Sequence, residues 1–145
     1  MNSEQTSDRA RVGAVRGVRG ITVAGDNTAD EIRTAIVELV TQIVAENSID
    51  ADDLAAALFT TTPDLNASFP AEAVRHMGWN FVPLLGAVEM AKPGAPGRCI
   101  RVLLLWNTDR TPQEIRHVYL HGTERLRTAG VSDSFTLGST EGAPQ

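Results

Sequence analysis

Between Arg98 and Trp106 the chain reads Arg-Cys-Ile-Arg-Val-Leu-Leu-Leu-Trp. Such a nearly unbroken apolar run has the length and composition of a strand buried on both faces. Val12 to Val23 reads as an earlier strand, its β-branched residues interrupted by glycines. Arg16 and Arg19 lie three apart in it, and an odd spacing puts them on opposite faces of a regular strand. Thr28-Ala29-Asp30-Glu31 has the form of a capping box, and Ile32, Ile36, Leu39, Val40, Ile43 and Val44 then recur at helical spacing. This predicts a helix to about Asn47 whose apolar stripe lies on a sheet. Asp50, Asp52 and Asp53 cap a short turn before a second strand, Leu54 to Thr61. The loop Thr62-Pro63-Asp64-Leu65-Asn66 follows, and Pro70 opens a short helix to His76. A third strand is predicted from Asn80 to Ala87, leading to Glu89, and Lys92 to Gly97 is a loop by its prolines and glycines. Beyond the central strand, Thr111 to Glu114 forms one helical turn, and Arg116 to Leu126 resumes as strand.

The 145 residues suit one domain, predicted over residues 12–127, with a polar lead-in at 1–11 and a Gly/Ser/Thr-rich tail at 128–145, both expected to be flexible. At 42% hydrophobic and 21% charged, the composition is that of a globular protein. A net charge of -5 argues against general binding to nucleic acid or anionic membranes. No apolar run approaches the ~18 residues of a membrane span. Cys99 is the sole cysteine, which removes disulfides and multi-thiolate metal sites and points to a cytoplasmic protein.

Arg101, in the middle of the central run, needs an anion, because a guanidinium cannot be neutralised and is almost never buried alone. Two anions can meet it: an internal carboxylate such as Glu89, or a ligand or developing charge of a reaction. The pattern alone favours the carboxylate. Phosphate loops, metal-ligand spacings, nucleophile elbows and dinucleotide fingerprints are all missing from the chain. His117 lacks the partners of a catalytic residue and reads as a hydrogen-bonded structural histidine. What is left is Arg19, Arg101 and Arg127 at strand positions or strand ends, Arg75 on a short helix, one carboxylate and one tyrosine, an inventory suited to a small polyanion.

Val15-Arg16-Gly17-Val18-Arg19-Gly20, Thr62-Pro63-Asp64-Leu65, Phe69-Pro70-Ala71, Ala73-Val74-Arg75, Gly78-Trp79 with Val82-Pro83, Glu89-Met90, Cys99-Ile100-Arg101-Val102, Thr108-Asp109 and Ile115-Arg116-His117-Val118-Tyr119-Leu120 follow one another in the chain. In this order they resemble the AroH-class chorismate mutases, the small monofunctional form of that enzyme. The resemblance implies rearrangement of chorismate to prephenate, in phenylalanine and tyrosine synthesis, without cofactor or metal. It implies an α+β fold: a mixed five-stranded sheet with helices on one face, assembled as a homotrimer that forms a pseudo α/β-barrel with active sites at the subunit interfaces. Arg101 then matches the arginine at the ether oxygen, Arg19 one that binds a substrate carboxylate, Glu89 the acceptor for the ring hydroxyl, and Tyr119 a contact to the side-chain carboxylate. Leu85, Gly86, Ala87 and Val88 match the substrate-lining backbone. Phe69, Arg75, Leu126 and Arg127 match pocket residues supplied by the neighbouring subunit or the C-terminal segment. Glu72 stands where the family carries a lysine, a local charge reversal. Leu85 and Gly86 stand where a threonine and a cysteine are expected.

Overall fold

The computed structural model describes residues 13–126. Val12, the expected lead-in, Arg127 and the expected tail lie outside them.

Thr28 caps α1 (Ala29–Asn47) by accepting the Glu31 N–H, and Ser48 closes the helix in the left-handed region with its own N–H on Val44 O. The stripe of Ile32, Ala35, Ile36, Leu39, Val40 and Ile43 is buried. It lies on a five-stranded sheet formed by β1 (Ala14–Val23), β2 (Leu54–Thr61), β3 (Leu84–Val88), β4 (Cys99–Thr108) and β5 (Val118–Tyr119), in the order β3-β2-β4-β1-β5. The sheet is mixed. β4 runs antiparallel to β1 and β2, while β3 pairs parallel with β2 and β5 parallel with β1.

One face carries the core. Val18, Ala57, Phe59, Ile100, Val102, Leu104 and Trp106 pack with the α1 stripe and with Ala73 and Val74 of α2 (Pro70–His76). Helix and sheet approach closely at Gly20, where an added Cβ would lie 2.6 Å from Ile43 Cδ1. Both helices therefore belong to the same side of the sheet.

The other face differs from expectation. β4 is not buried on both sides in the single chain: past Cys99 its odd positions are only partly covered or exposed, and Leu103 keeps 39% of its surface exposed. Register places Leu85, Leu58 and Leu103 side by side on this face, with Val15 further along β1. An apolar run that reads as doubly buried thus has one face covered by helices and one apolar face uncovered.

Two further boundaries are corrected. The third strand begins at Leu84, not Asn80; the residues before it pass Pro83, which has no N–H to give a ladder, and reach β2 through Pro83 O accepting from Ala57 N. The predicted strand from Arg116 to Leu126 shrinks to Val118–Tyr119. His121 and Gly122 both adopt positive φ, turning the chain out of the sheet into a single helical turn, Thr123–Leu126. Among the described residues no helix is long and apolar enough to cross a membrane.

Candidate active site

Strand register explains why the predicted residues meet. Tyr119 sits opposite Ile21 and Ile21 opposite Arg101; Arg101 pairs with Thr60 and Thr60 with Ala87. Paired residues point to the same face, so this row crosses the whole sheet on the side away from the helices. Arg19 precedes Ile21 by two and Glu89 follows Ala87 by two, so both point the same way. Arg16, as expected, turns to the opposite face and donates to Arg110 O.

Two charged pairs result. Arg101 Nε meets Glu89 Oε2 in an ion pair, with 28% and 26% of the two side chains exposed. Arg19 donates from Nη2 to the Tyr119 hydroxyl at 3.1 Å, its guanidinium carbon 5.9 Å from the ring centre. The internal carboxylate predicted for Arg101 is thus present, and the pair still borders solvent. A ligand reaching this face meets two guanidinium groups on the adjacent strands β4 and β1, with a carboxylate beyond one and a phenol beyond the other.

The second pair depends on how β5 is held. Asn47, buried at the end of α1, donates to Arg116 O and accepts from Arg116 N, clamping the chain as it enters β5. Arg19 N then donates to His117 Nδ1 at 3.0 Å. Burial, and next the Arg19 charge, push the His117 pKa down, so the ring stays a neutral acceptor. The structural histidine of the sequence reading is this acceptor. Past the turn, Thr123 Oγ1 donates to Ile21 O, and Leu126 is buried on Ile21 and Cys99 with Tyr119 beside them. Leu126 therefore borders the row from within the same chain. Burial raises the Cys99 pKa, so its thiol is packing material and not a nucleophile.

β3 is an edge strand, and residues 85–88 are exposed. Pro83 O accepts from Ala57 N and Glu89 N donates to Thr61 O, so the odd positions turn their backbone toward β2. The N–H and C=O of Gly86 and Val88 then point outward from the free edge. Leu85 and Ala87 direct their side chains to the open face.

Phe69 and Arg75 are not brought to this row. They flank and belong to α2 on the helix side; Phe69 is 76% exposed, and the Arg75 side chain has no hydrogen-bond or ion-pair partner among the described residues. Thr60, between Arg101 and Ala87 in the row, is a neighbour that residue pattern alone does not reveal, because its place follows from pairing across two strands. Among the described residues no group of three or more His, Cys, Asp or Glu side chains could hold a metal ion.

A family model described as chorismate mutase type I matches residues 15–129, most of the chain. The chain belongs to the type I chorismate mutase family. It is 46% identical over 114 residues to the chorismate mutase AroH of Thermus thermophilus, covering 78% of this chain and 93% of that protein. To the chorismate mutase AroH of Bacillus subtilis (strain 168) it is 40% identical over 114 residues, covering 78% and 90%. A solved chorismate mutase from Clostridium thermocellum superposes with a TM-score of 0.75 at 42% identity, covering 77% of this chain and all of that one. The shared chorismate mutase fold is the mixed sheet described above.

Proposed function

We propose that the protein converts chorismate to prephenate, serving phenylalanine and tyrosine synthesis in the cytoplasm. The observation that carries this reading is the pairing of Arg101 with Glu89 on a solvent-bordering sheet face, one strand away from the Arg19–Tyr119 pair. The reaction is a unimolecular pericyclic rearrangement. It needs no nucleophile, proton shuttle or cofactor; it needs the substrate folded so that its termini meet, and charge stabilised as the ether bond breaks.

The residues divide those tasks. Arg19 and Tyr119 bind substrate carboxylate and hold the molecule at one end. Glu89 accepts the ring hydroxyl, fixing the ring, and leaves the Arg101 guanidinium aimed at the ether oxygen, where negative charge grows. Only that last interaction strengthens as the reaction proceeds, so Arg101 is the principal source of acceleration. The outward N–H and C=O groups of Gly86 and Val88, with Leu85 and Ala87, line the substrate, Leu126 borders it, and Arg127 is a further substrate-binding residue.

The active unit is a homotrimer forming a pseudo α/β-barrel, with the site at each subunit interface. The uncovered apolar face supports this, since Leu85, Leu103 and Val15 leave partly exposed apolar side chains on the sheet face that the helices do not cover. So does the position of Phe69 and Arg75, exposed and away from the row in their own chain but available to a neighbour. Residues 12–127 constitute the enzyme.

The test is loss of chorismate absorbance with purified protein. Turnover above the uncatalysed rate is expected. A rise in melting temperature with chorismate or prephenate but no turnover identifies a non-catalytic binding module instead, and neither effect leaves Arg101–Glu89 as a structural ion pair.

A further inference from the structure

We propose that Asp64, through Thr62 and Arg98, is a positioning residue that sets the geometry of the Arg101–Glu89 pair; this rests on the catalytic roles proposed for that pair.

Arg101 stands on β4 and Glu89 directly follows β3, strands that do not touch each other, with β2 between them. Their separation is therefore fixed where β2 ends, and the chain there binds both sides. Thr61 O accepts the Glu89 N–H at 2.7 Å. Thr62 N donates to Cys99 O, and Thr62 Oγ1 accepts from Cys99 N, both at 3.0 Å, two residues before Arg101. Thr62 Oγ1 in turn donates its own hydrogen to Asp64 Oδ1 at 2.6 Å, which leaves the hydroxyl oxygen as an acceptor for Cys99. Both Asp64 oxygens then accept the Arg98 N–H, at 2.9 and 3.1 Å. The Thr62 hydroxyl first, and the Arg98 backbone N–H further, hold the Asp64 carboxyl below the usual carboxylate range.

Arg98 shows that this contact constrains the backbone. It is a non-glycine residue at φ 51, a conformation that persists only where the surroundings impose it. Here they do so from two sides: Asp64 takes its N–H, and its carbonyl and guanidinium bind Ala24 N and Gly25 O. Gly97 leaves room for the carboxylate, since a Cβ there would fall 2.5 Å from Asp64 Oδ2. Asp64 itself is exposed, so its effect runs through these hydrogen bonds and not through core packing.

Three variants test the proposal beside Arg101→Ala, with kcat, KM, circular dichroism and sedimentation measured on each. Asp64→Ala lowers kcat about 10-fold or more, the scale of a reacting group displaced by a fraction of an ångström, while KM stays within about twofold and the assembly is unchanged. Gly97→Ala keeps the carboxylate but pushes it off the Arg98 N–H, and reproduces that split even if Asp64→Ala folds poorly. Asp64→Asn retains an acceptor oxygen and recovers most of the loss. An unchanged kcat in folded Asp64→Ala or Gly97→Ala, or a loss seen only in melting temperature, overturns the proposal. If kcat survives Arg101→Ala, the reading of the site fails and takes this proposal with it; if Arg101→Ala is inactive and Asp64→Ala is not impaired, only the positioning role is refuted.

Discussion

Leu103→Gln is the change that separates folding from assembly. Leu103 lies at the centre of the open face, beside Leu58 on β2 and opposite Arg19 on β1, with 39% of its surface uncovered in the single chain. Covering that remainder is worth ~1 kcal/mol per subunit. Val15 at 53% and Leu85 at 62% exposure raise the apolar surface available to a neighbour to about one and a half side chains, ~2–5 kcal/mol per subunit. Glutamine forfeits the Leu103 share and places an amide without a built-in partner in the interface, a further ~1–3 kcal/mol. The total of ~2–4 kcal/mol weakens each subunit contact about 30- to 1,000-fold. A neutral amide leaves the charge beside Arg19 unaltered, and a position already part-exposed tolerates it in the monomer at ~1 kcal/mol. Analytical ultracentrifugation is expected to show native chains of one-subunit mass, and specific activity is expected to be low at nanomolar protein and to recover as concentration rises, by mass action. A dissociated Leu103→Gln chain with full, concentration-independent activity would refute the interfacial site, and an undisturbed trimer would refute the use of this face.

Three further outcomes follow from particular contacts. Gly20→Ala forces a Cβ to within 2.6 Å of Ile43 Cδ1 and 3.1 Å of Val102 Cγ1, and thermal unfolding is expected to show a loss of ~1–3 kcal/mol. Glu72→Lys replaces a carboxylate on α2, one turn before Arg75, by a cation; KM for the dianionic substrate falls with kcat little changed, and the gain shrinks with added salt. The His117 pKa is held below its ordinary ~6.5, so between the two values the unfolded chain binds more protons than the folded one. That contribution to stability is full above about pH 6.5 and is lost as pH falls through the folded value, and denaturant titrations of His117→Gln are expected to lack that slope.

How much of this was legible in the sequence depended on whether the signal was local. α1 was readable from its cap and stripe, β2 and α2 from strand character and Pro70, because each depends on residues a few positions apart. β5 was misread because its two residues are strand only by pairing with β1, and the turn at His121 and Gly122 is marked by a single glycine. The open face of β4 was misread for another reason: Leu103 and Leu105 are as apolar as Leu104, and a strand waiting for another subunit has the sequence of one already buried. Arg101 and Glu89 could be singled out because a charge amid apolar residues demands a partner. Arg19 and Tyr119 needed the family resemblance, since both residue types are ordinary on a strand. The contact of Asp64 with Arg98, 34 residues away, had no signal beyond a Thr-Pro-Asp loop.

The most direct test of the account is the kcat of Arg101→Gln, which is shorter, neutral and still able to donate a hydrogen bond. If the guanidinium stabilises the charge that develops on the ether oxygen, kcat falls at least ~100-fold, ~2.7 kcal/mol or more, while product binding by a folded variant changes far less. A kcat within a few-fold of the parent would contradict it, and would reduce Arg101 to the structural partner of Glu89.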